Sequence, residues 1–95
     1  MNILIVEDEA ALAGAVEHIL QKAGYITDWV ADGQSALDFI RGFSYDLILL
    51  DIMLPKLDGL SVLRQLRGEG IDTPVLMLTA RTTVPDKVTG LNAGA

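Results

Sequence analysis

The chain has no cysteine, so it can form neither a disulfide framework nor a zinc site with thiolate ligands. Basic residues are also few: 7 lysines and arginines stand against 13 aspartates and glutamates, for a net charge of −6. Surfaces that bind nucleic acid or anionic membranes need clustered lysine and arginine. This segment is therefore not expected to bind either of them directly.

Long apolar runs are missing as well. The chain begins MNILIVEDEA, where acidic residues interrupt an apolar run that is too short for a signal peptide or a membrane span. We see no internal repeat, low-complexity tract or linker. The length of 95 residues, 51% of them hydrophobic, therefore predicts one small soluble domain over residues 1–95, in the cytoplasm and not at a membrane.

Short apolar runs alternate with patterns typical of amphipathic helices. The runs predict strands at 3–6, 26–30, 47–50 and 74–78. Between them, helices are predicted to end at Gly24, Gly42 and Gly68, and Asp58 is predicted to cap the third helix. A last helix is predicted to begin near Pro85. The predicted core stripe of the first helix comprises Leu12, Val16, Ile19, Leu20 and Ala23.

Strands that alternate with helices through short connections are typical of a parallel sheet covered on both faces. Right-handed crossovers, and the mixed composition of 26–30 that suits an edge strand, predict the strand order 2-1-3-4. This is the order of a doubly wound, flavodoxin-like (CheY-like) α/β fold without its fifth strand. Ligands of such sheets bind beyond the carboxyl ends of the strands, near the switch point between strands 1 and 3.

Acidic residues follow two strands that this order makes neighbours. Glu7, Asp8 and Glu9 come after the first strand, and Asp51 comes after the third. Asp8 and Asp51 should therefore face each other at one edge, where like carboxylates repel and a hard cation such as Mg²⁺ removes the conflict. A phosphoryl group suits the remaining coordination positions of the cation, and the Asp51 carboxylate could then act as a nucleophile.

A structural role is the alternative for these acids. Residues 7–9 precede a predicted helix, where negative charge interacts favourably with the helix dipole. That explanation does not apply to Asp51, which is followed by Ile-Met-Leu-Pro and not by a helix start.

Three strings, ILIVEDE, DLILLDIMLPKLDG and PVLMLTAR, closely resemble the receiver domain of bacterial two-component response regulators, and the resemblance runs from Met1 to Ala95. The segments VEDE and MLTAR are similar to those of the OmpR/PhoB branch, whose members carry a DNA-binding output domain further along the chain. The resemblance implies a partner histidine kinase as phosphodonor and Mg²⁺ as cofactor. It also implies a signalling domain that catalyses only its own phosphorylation and dephosphorylation.

The resemblance assigns roles to individual residues. Asp51 matches the phosphorylated aspartate, Asp8 a direct metal ligand and Glu7 an indirect one. Met53 matches the position whose backbone carbonyl completes the metal shell. The resemblance also assigns the switch hydroxyl to Thr79 and the small residue beside it to Ala80, and it matches Pro55 and Gly59 to the loop after the phosphorylation site.

The chain departs from the family pattern at its end, because family members continue into a fifth strand, an invariant lysine and a fifth helix. We therefore expect a C-terminally incomplete receiver. Its fourth strand reads Val-Leu-Met-Leu and lacks the charges that normally protect a sheet edge. Self-association through that edge, as a homodimer or by domain swapping, is left open.

Three other functions make different demands on the sequence. An inert fragment of a receiver would bind metal without being efficiently phosphorylated. A metal-dependent phosphohydrolase would need a second acid two residues after the nucleophile, where this chain has Met53. A dinucleotide-binding fold would need Gly-x-Gly-x-x-Gly after the first strand, where this chain has Glu-Asp-Glu.

Overall fold

The computed structural model describes residues 1–52, 54 and 57–78. Every predicted strand is confirmed to within one residue at either end, whereas the helix predicted near Pro85 lies outside the described residues. No helix in this part of the chain is long and apolar enough to cross a membrane. The elements are β1 (Asn2–Val6), α1 (Ala10–Lys22), β2 (Ile26–Val30), α2 (Gly33–Gly42), β3 (Leu47–Asp51), α3 (Gly59–Gly68) and β4 (Val75–Leu78).

The strands form one parallel sheet in the order β2-β1-β3-β4, which confirms the predicted topology. In the register, Val6 lies between Val30 on one side and Leu50 on the other. Asp51 pairs with Leu78 of β4. The carboxyl ends of β1 and β3 are therefore neighbours at one edge of the sheet.

The helix ends follow the sequence signals. Gly24 has a φ of +94°, a conformation that favours glycine, and it follows the last turn of α1 as predicted. Asp32 and Asp58 cap α2 and α3, and each side chain accepts a hydrogen bond from the backbone N–H three residues later, at 2.7 and 2.9 Å. Glu9 stands at the same position of α1, but its side chain makes no capping hydrogen bond.

Helices cover the two faces of the sheet unequally. On one face, α2 and α3 pack against β1 and β3 around a large buried cluster that includes Leu4, Val6, Leu37, Leu50 and Leu63. On the other face, the cluster beneath α1 is smaller and consists of Ile3, Ile5, Ala13 and Leu49. Side chains alternate along a strand, so neighbouring residues of β1 and β3 contribute to different clusters.

The core stripe of α1 was predicted wrongly in part. Ala13 is fully buried, and Val16 and Leu20 pack partly buried against the same cluster. The predicted stripe also included Leu12, Ile19 and Ala23, which are exposed. Two apolar stripes with helical spacing lie side by side on α1, and periodicity alone does not tell which of them faces the sheet.

Candidate functional site

The carboxylates that were predicted to face each other lie together at the carboxyl edge of the sheet. Glu7 and Asp8 directly follow β1, and Asp51 is the last residue of the neighbouring β3. Each of these three side chains offers a carboxylate oxygen, and the three oxygens all lie within 4.8 Å of one another. The topology thus brings together acidic groups that are far apart in the sequence.

Two of these groups are withdrawn from water. Glu7 is 3% exposed and Asp51 is 2% exposed, whereas Asp8 is exposed. The pKa of the Glu7 carboxyl is raised to about 7, mainly by burial and additionally by its interactions with Asp8 and Asp51. The backbone N–H of Glu9 opposes this shift by donating to Glu7 Oε2 at 3.0 Å. Carboxylates are therefore crowded at the carboxyl edge of the sheet, where their negative charges repel one another.

The donor set fits a hard divalent cation. All three side chains offer carboxylate oxygens, which suit Mg²⁺ or Ca²⁺ better than a soft metal. Mg²⁺ commonly uses one or two carboxylates and completes its octahedron with water or phosphate oxygens. Because Asp8 is exposed while Glu7 and Asp51 are buried, the cluster is open to solvent on one side and closed on the other.

The backbone around Glu7 is fixed by hydrogen bonds to β2. Its N–H donates to the carbonyl of Val30 at 3.1 Å. Its carbonyl accepts from the indole Nε1–H of Trp29 at 2.7 Å. This contact was not predicted from the sequence. The signal that could have suggested it is the parallel register, which places Trp29 beside Ile5, two residues before Glu7.

Gly59 lets the start of α3 approach the end of β3. A Cβ at this position would collide with the main-chain atoms of Asp51 and Ile52. Gly59 N–H donates to the Ile52 carbonyl at 2.8 Å, which ties the helix start to the residue after Asp51. The glycine that the resemblance placed in this loop therefore has a packing reason: no side chain fits there.

Of the predicted site residues, the structure brings Glu7, Asp8 and Asp51 together. Met53, Thr79 and Ala80 lie outside the described residues, as does Pro55. Their assigned roles remain predictions.

Comparison with known proteins places the chain in a family. The response regulator receiver domain matches residues 3–95. Transcriptional regulatory protein DltR of Streptococcus agalactiae is 48% identical over the whole chain, which covers 42% of that protein. Response regulator MprA of Mycobacterium tuberculosis is 46% identical over the whole chain, which covers 41% of that protein. The chain thus spans less than half the length of these curated relatives, which agree with the predicted OmpR/PhoB branch.

Solved structures agree with this match. The receiver domain of the Francisella response regulator 1452 superposes with a TM-score of 0.89 at 35% identity, covering 99% of this chain and 78% of that one. Response regulator protein TrrA from Thermotoga maritima, in complex with Mg(2+)-BeF, gives a TM-score of 0.81 at 34% identity, covering 85% of this chain and 70% of that one. The chain belongs to the response regulator receiver domain family, a family of signalling domains.

Proposed function

We propose that Asp51 accepts a phosphoryl group from a partner histidine kinase in a magnesium-dependent reaction. The observation that carries this proposal is the cluster of Glu7, Asp8 and Asp51, whose carboxylate oxygens lie within 4.8 Å of one another at the switch point of the sheet. A buried carboxylate beside two others is an unfavourable arrangement for stability alone, and it is well suited to holding a cation next to a nucleophile.

The chemistry follows from the positions of these residues. An Asp51 carboxylate oxygen forms a bond to phosphorus while the bond from phosphorus to the donor breaks, and that electron pair leaves with the donor. When bound, the cation supplies positive charge that offsets the oxygens of the transferring group. Asp8 would hold the cation directly, and Glu7 would hold it indirectly. The burial of Asp51 excludes water from one side of the nucleophile.

The remaining assignments are part of the same proposal. The backbone carbonyl of Met53 would complete the metal shell. After transfer, the hydroxyl of Thr79 would move onto the phosphoryl group, and Ala80 matches the small residue beside this switch position in the family. The TrrA structure supports the choice of metal, since that similar domain is described in complex with Mg(2+)-BeF.

The proposed readout lies beyond these residues. Relatives named as transcriptional regulatory proteins are more than twice as long as this chain. We propose that the receiver relays its phosphorylation state to a DNA-binding output domain, in the cytoplasm, where the kinase and DNA are accessible. Within the described part of the chain, β4 has a strand neighbour on one side, and we keep self-association through its free edge in the proposal.

Labelling tests the proposal directly. The chain, or its full-length parent, is incubated with Mg²⁺ and acetyl phosphate, and the intact mass is followed. One phosphoryl group should be added to the wild type and none to Asp51→Asn. The matched control is Asp72→Asn, an exposed aspartate in the loop before β4, which should label like the wild type.

The outcomes separate the candidate functions. Equal labelling of Asp51→Asn and the wild type would refute Asp51 as the acceptor. Saturable Mg²⁺ binding without any labelling would favour the alternative, a receiver that binds metal but is not efficiently phosphorylated. Loss of labelling on removal of Mg²⁺ with a chelator would support the requirement for the cation.

A further inference from the structure

Trp29 connects the edge strand to the acidic site. It is the one tryptophan of the sequence, lies near the end of β2 and is 39% exposed. In the register it stands beside Ile5, which belongs to the cluster under α1, so its ring lies on the α1 face of the sheet. From there the indole Nε1–H reaches across to the carbonyl of Glu7 at 2.7 Å.

The accepting carbonyl belongs to the peptide that joins Glu7 to Asp8. A peptide unit is planar, so fixing its oxygen fixes the orientation of the whole unit up to the Cα atom of Asp8. The indole therefore restrains the residue that is proposed to bind the cation directly, although the hydrogen bond is made to the backbone and not to a carboxylate. Asp8 itself is exposed, so burial contributes little to its orientation.

The peptide on the other side of Glu7 is tied to the same strand. The N–H of Glu7 donates to the Val30 carbonyl, next to Trp29 in β2. Both peptides that flank Glu7 are thus hydrogen-bonded to β2, one through the main chain and one through the indole. A main-chain contact survives most substitutions, whereas the indole contact depends on the side chain at position 29.

We infer that Trp29 is a positioning residue for the acidic site, one that orients the Glu7–Asp8 peptide for cation binding through its indole N–H. This inference rests on the proposed function, because it requires that the cluster of Glu7, Asp8 and Asp51 binds Mg²⁺. It goes further by assigning a role to an edge-strand side chain that touches neither the cation nor the phosphoryl group.

The competing explanation is that Trp29 only packs against the sheet edge. The two explanations differ in what a change at this position affects. A packing residue affects the free energy of unfolding and leaves the intrinsic Mg²⁺ affinity of the folded domain unchanged. A positioning residue affects the affinity of the folded domain, because Asp8 loses its preferred orientation.

The test compares Trp29→Phe, which keeps an aromatic ring but removes the donor, with Tyr25→Phe. Tyr25 is similarly exposed, at 38%, and directly precedes the first residue of β2, at the end of the strand away from the acidic site. Mg²⁺ affinity is measured by calorimetry and by the backbone amide shifts of Glu7, Asp8 and Asp51 in ¹H–¹⁵N spectra. We expect Trp29→Phe to weaken Mg²⁺ binding about threefold to tenfold, the range for one lost hydrogen bond, and Tyr25→Phe to bind like the wild type.

The wild type supplies a second measurement that needs no variant. With one tryptophan, the ¹H–¹⁵N spectrum has one indole resonance, and this resonance should shift during an MgCl₂ titration with the same midpoint as the amides of Glu7 and Asp8. An indole resonance that stays still while those amides saturate would overturn the inference. Unchanged Mg²⁺ affinity in folded Trp29→Phe would overturn it as well.

Failure of the proposed function would look different. If the wild-type amides of Glu7, Asp8 and Asp51 do not respond to Mg²⁺ at all, then the metal site itself is refuted and the role of Trp29 with it. If the wild type binds Mg²⁺ and Trp29→Phe binds equally well, the metal site stands and only the positioning role is refuted.

Discussion

The two faces of the sheet are built from the same strands but differ in what they carry. The face under α2 and α3 has a large cluster of fully buried aliphatic side chains. The face under α1 has a smaller buried cluster, and several of its apolar residues are only half-buried. Trp29 lies at the carboxyl edge of this second face. The acidic residues Glu7, Asp8 and Asp51 lie at the same edge, where β1 and β3 end.

Side-chain alternation explains how one strand serves both faces. In β1, Val6 points toward α2 and α3, whereas Ile5 points toward α1, on the same side as Trp29. In β3, Leu50 belongs to the larger cluster, whereas Leu49 belongs to the smaller one. The larger cluster is thus placed to provide most of the stability, and it holds the strand ends in position. The acidic site can then carry crowded charge that would destabilise a less well-supported edge.

The comparison is tested most strongly by the same substitution on each face. Leu63→Ala in α3 removes a fully buried side chain from the larger cluster and should lower the free energy of unfolding by ~2–5 kcal/mol. Leu20→Ala in α1 removes a half-buried side chain from the smaller cluster and should cost roughly 1 kcal/mol. Urea unfolding followed by circular dichroism gives both values.

Equal losses for these two leucine variants would contradict the assignment of stability to the larger cluster. If one of these variants is already unfolded in the absence of urea, its substitution has the larger effect on the free energy of unfolding. The slope of the urea dependence should stay the same in both variants, since a changed slope would report a change in the denatured state instead.

The fold followed from the sequence because its signals were redundant. The strand at 47–50 was recognisable from its apolar run, and the ends of its flanking helices from Gly42, Asp58 and Gly68. Each of these signals acts locally, through backbone conformation or capping, so no knowledge of distant contacts was needed. The stripe of α1 was mispredicted at Leu12 and Ile19 because the orientation of a helix on a sheet depends on packing volumes, which a hydrophobic pattern does not contain.

The acidic site could be predicted to the same degree. The meeting of Asp8 with Asp51 followed from strand order alone, since the carboxyl ends of neighbouring parallel strands share an edge. The contact from Trp29 to the Glu7 carbonyl could not be predicted, because it depends on a side-chain rotamer and on the bend of the chain after β1. Repulsion between like carboxylates was predicted at this edge, but not that the pKa of Glu7 is raised, because that shift depends mainly on the burial of Glu7 at 3% exposure.

Removing one charge from the cluster should sharpen the contrast between the faces. Above pH 7, where the Glu7 carboxyl is largely ionised, Glu7→Gln keeps the shape of the buried side chain but removes the cost of burying its charge and the repulsion by Asp8 and Asp51. In the absence of metal and above pH 7, we expect the free energy of unfolding to rise by roughly 1–2 kcal/mol, and the gain should shrink as the pH falls below 7 and the wild-type carboxyl becomes protonated. The added stability on saturation with Mg²⁺ should become smaller than in the wild type.

The matched control is Glu69→Gln. Glu69, directly after α3, forms an exposed ion pair with Arg41 in the last turn of α2. The pKa of the Glu69 carboxyl is lowered mainly by that arginine. Exposed pairs of this kind contribute little, so the change in stability should be close to the error of the measurement. A loss of stability in metal-free Glu7→Gln would mean that the carboxylate is stabilising, and would refute the view of the acidic edge as a functional compromise.

The smallest expected difference concerns how the helices of the two faces begin. Asp58→Ala removes the side chain that accepts from the backbone N–H of Ser61 at the start of α3, and should cost about 1 kcal/mol. Glu9→Ala changes the corresponding residue of α1, whose side chain makes no capping hydrogen bond, and should be close to neutral. Thermal unfolding in metal-free buffer compares the two variants. Capping energy is local, so each variant reports on the start of its own helix. An equal cost for Glu9→Ala and Asp58→Ala would show that α1 is stabilised at its start as α3 is. The contrast between the faces would then lie in the buried clusters alone.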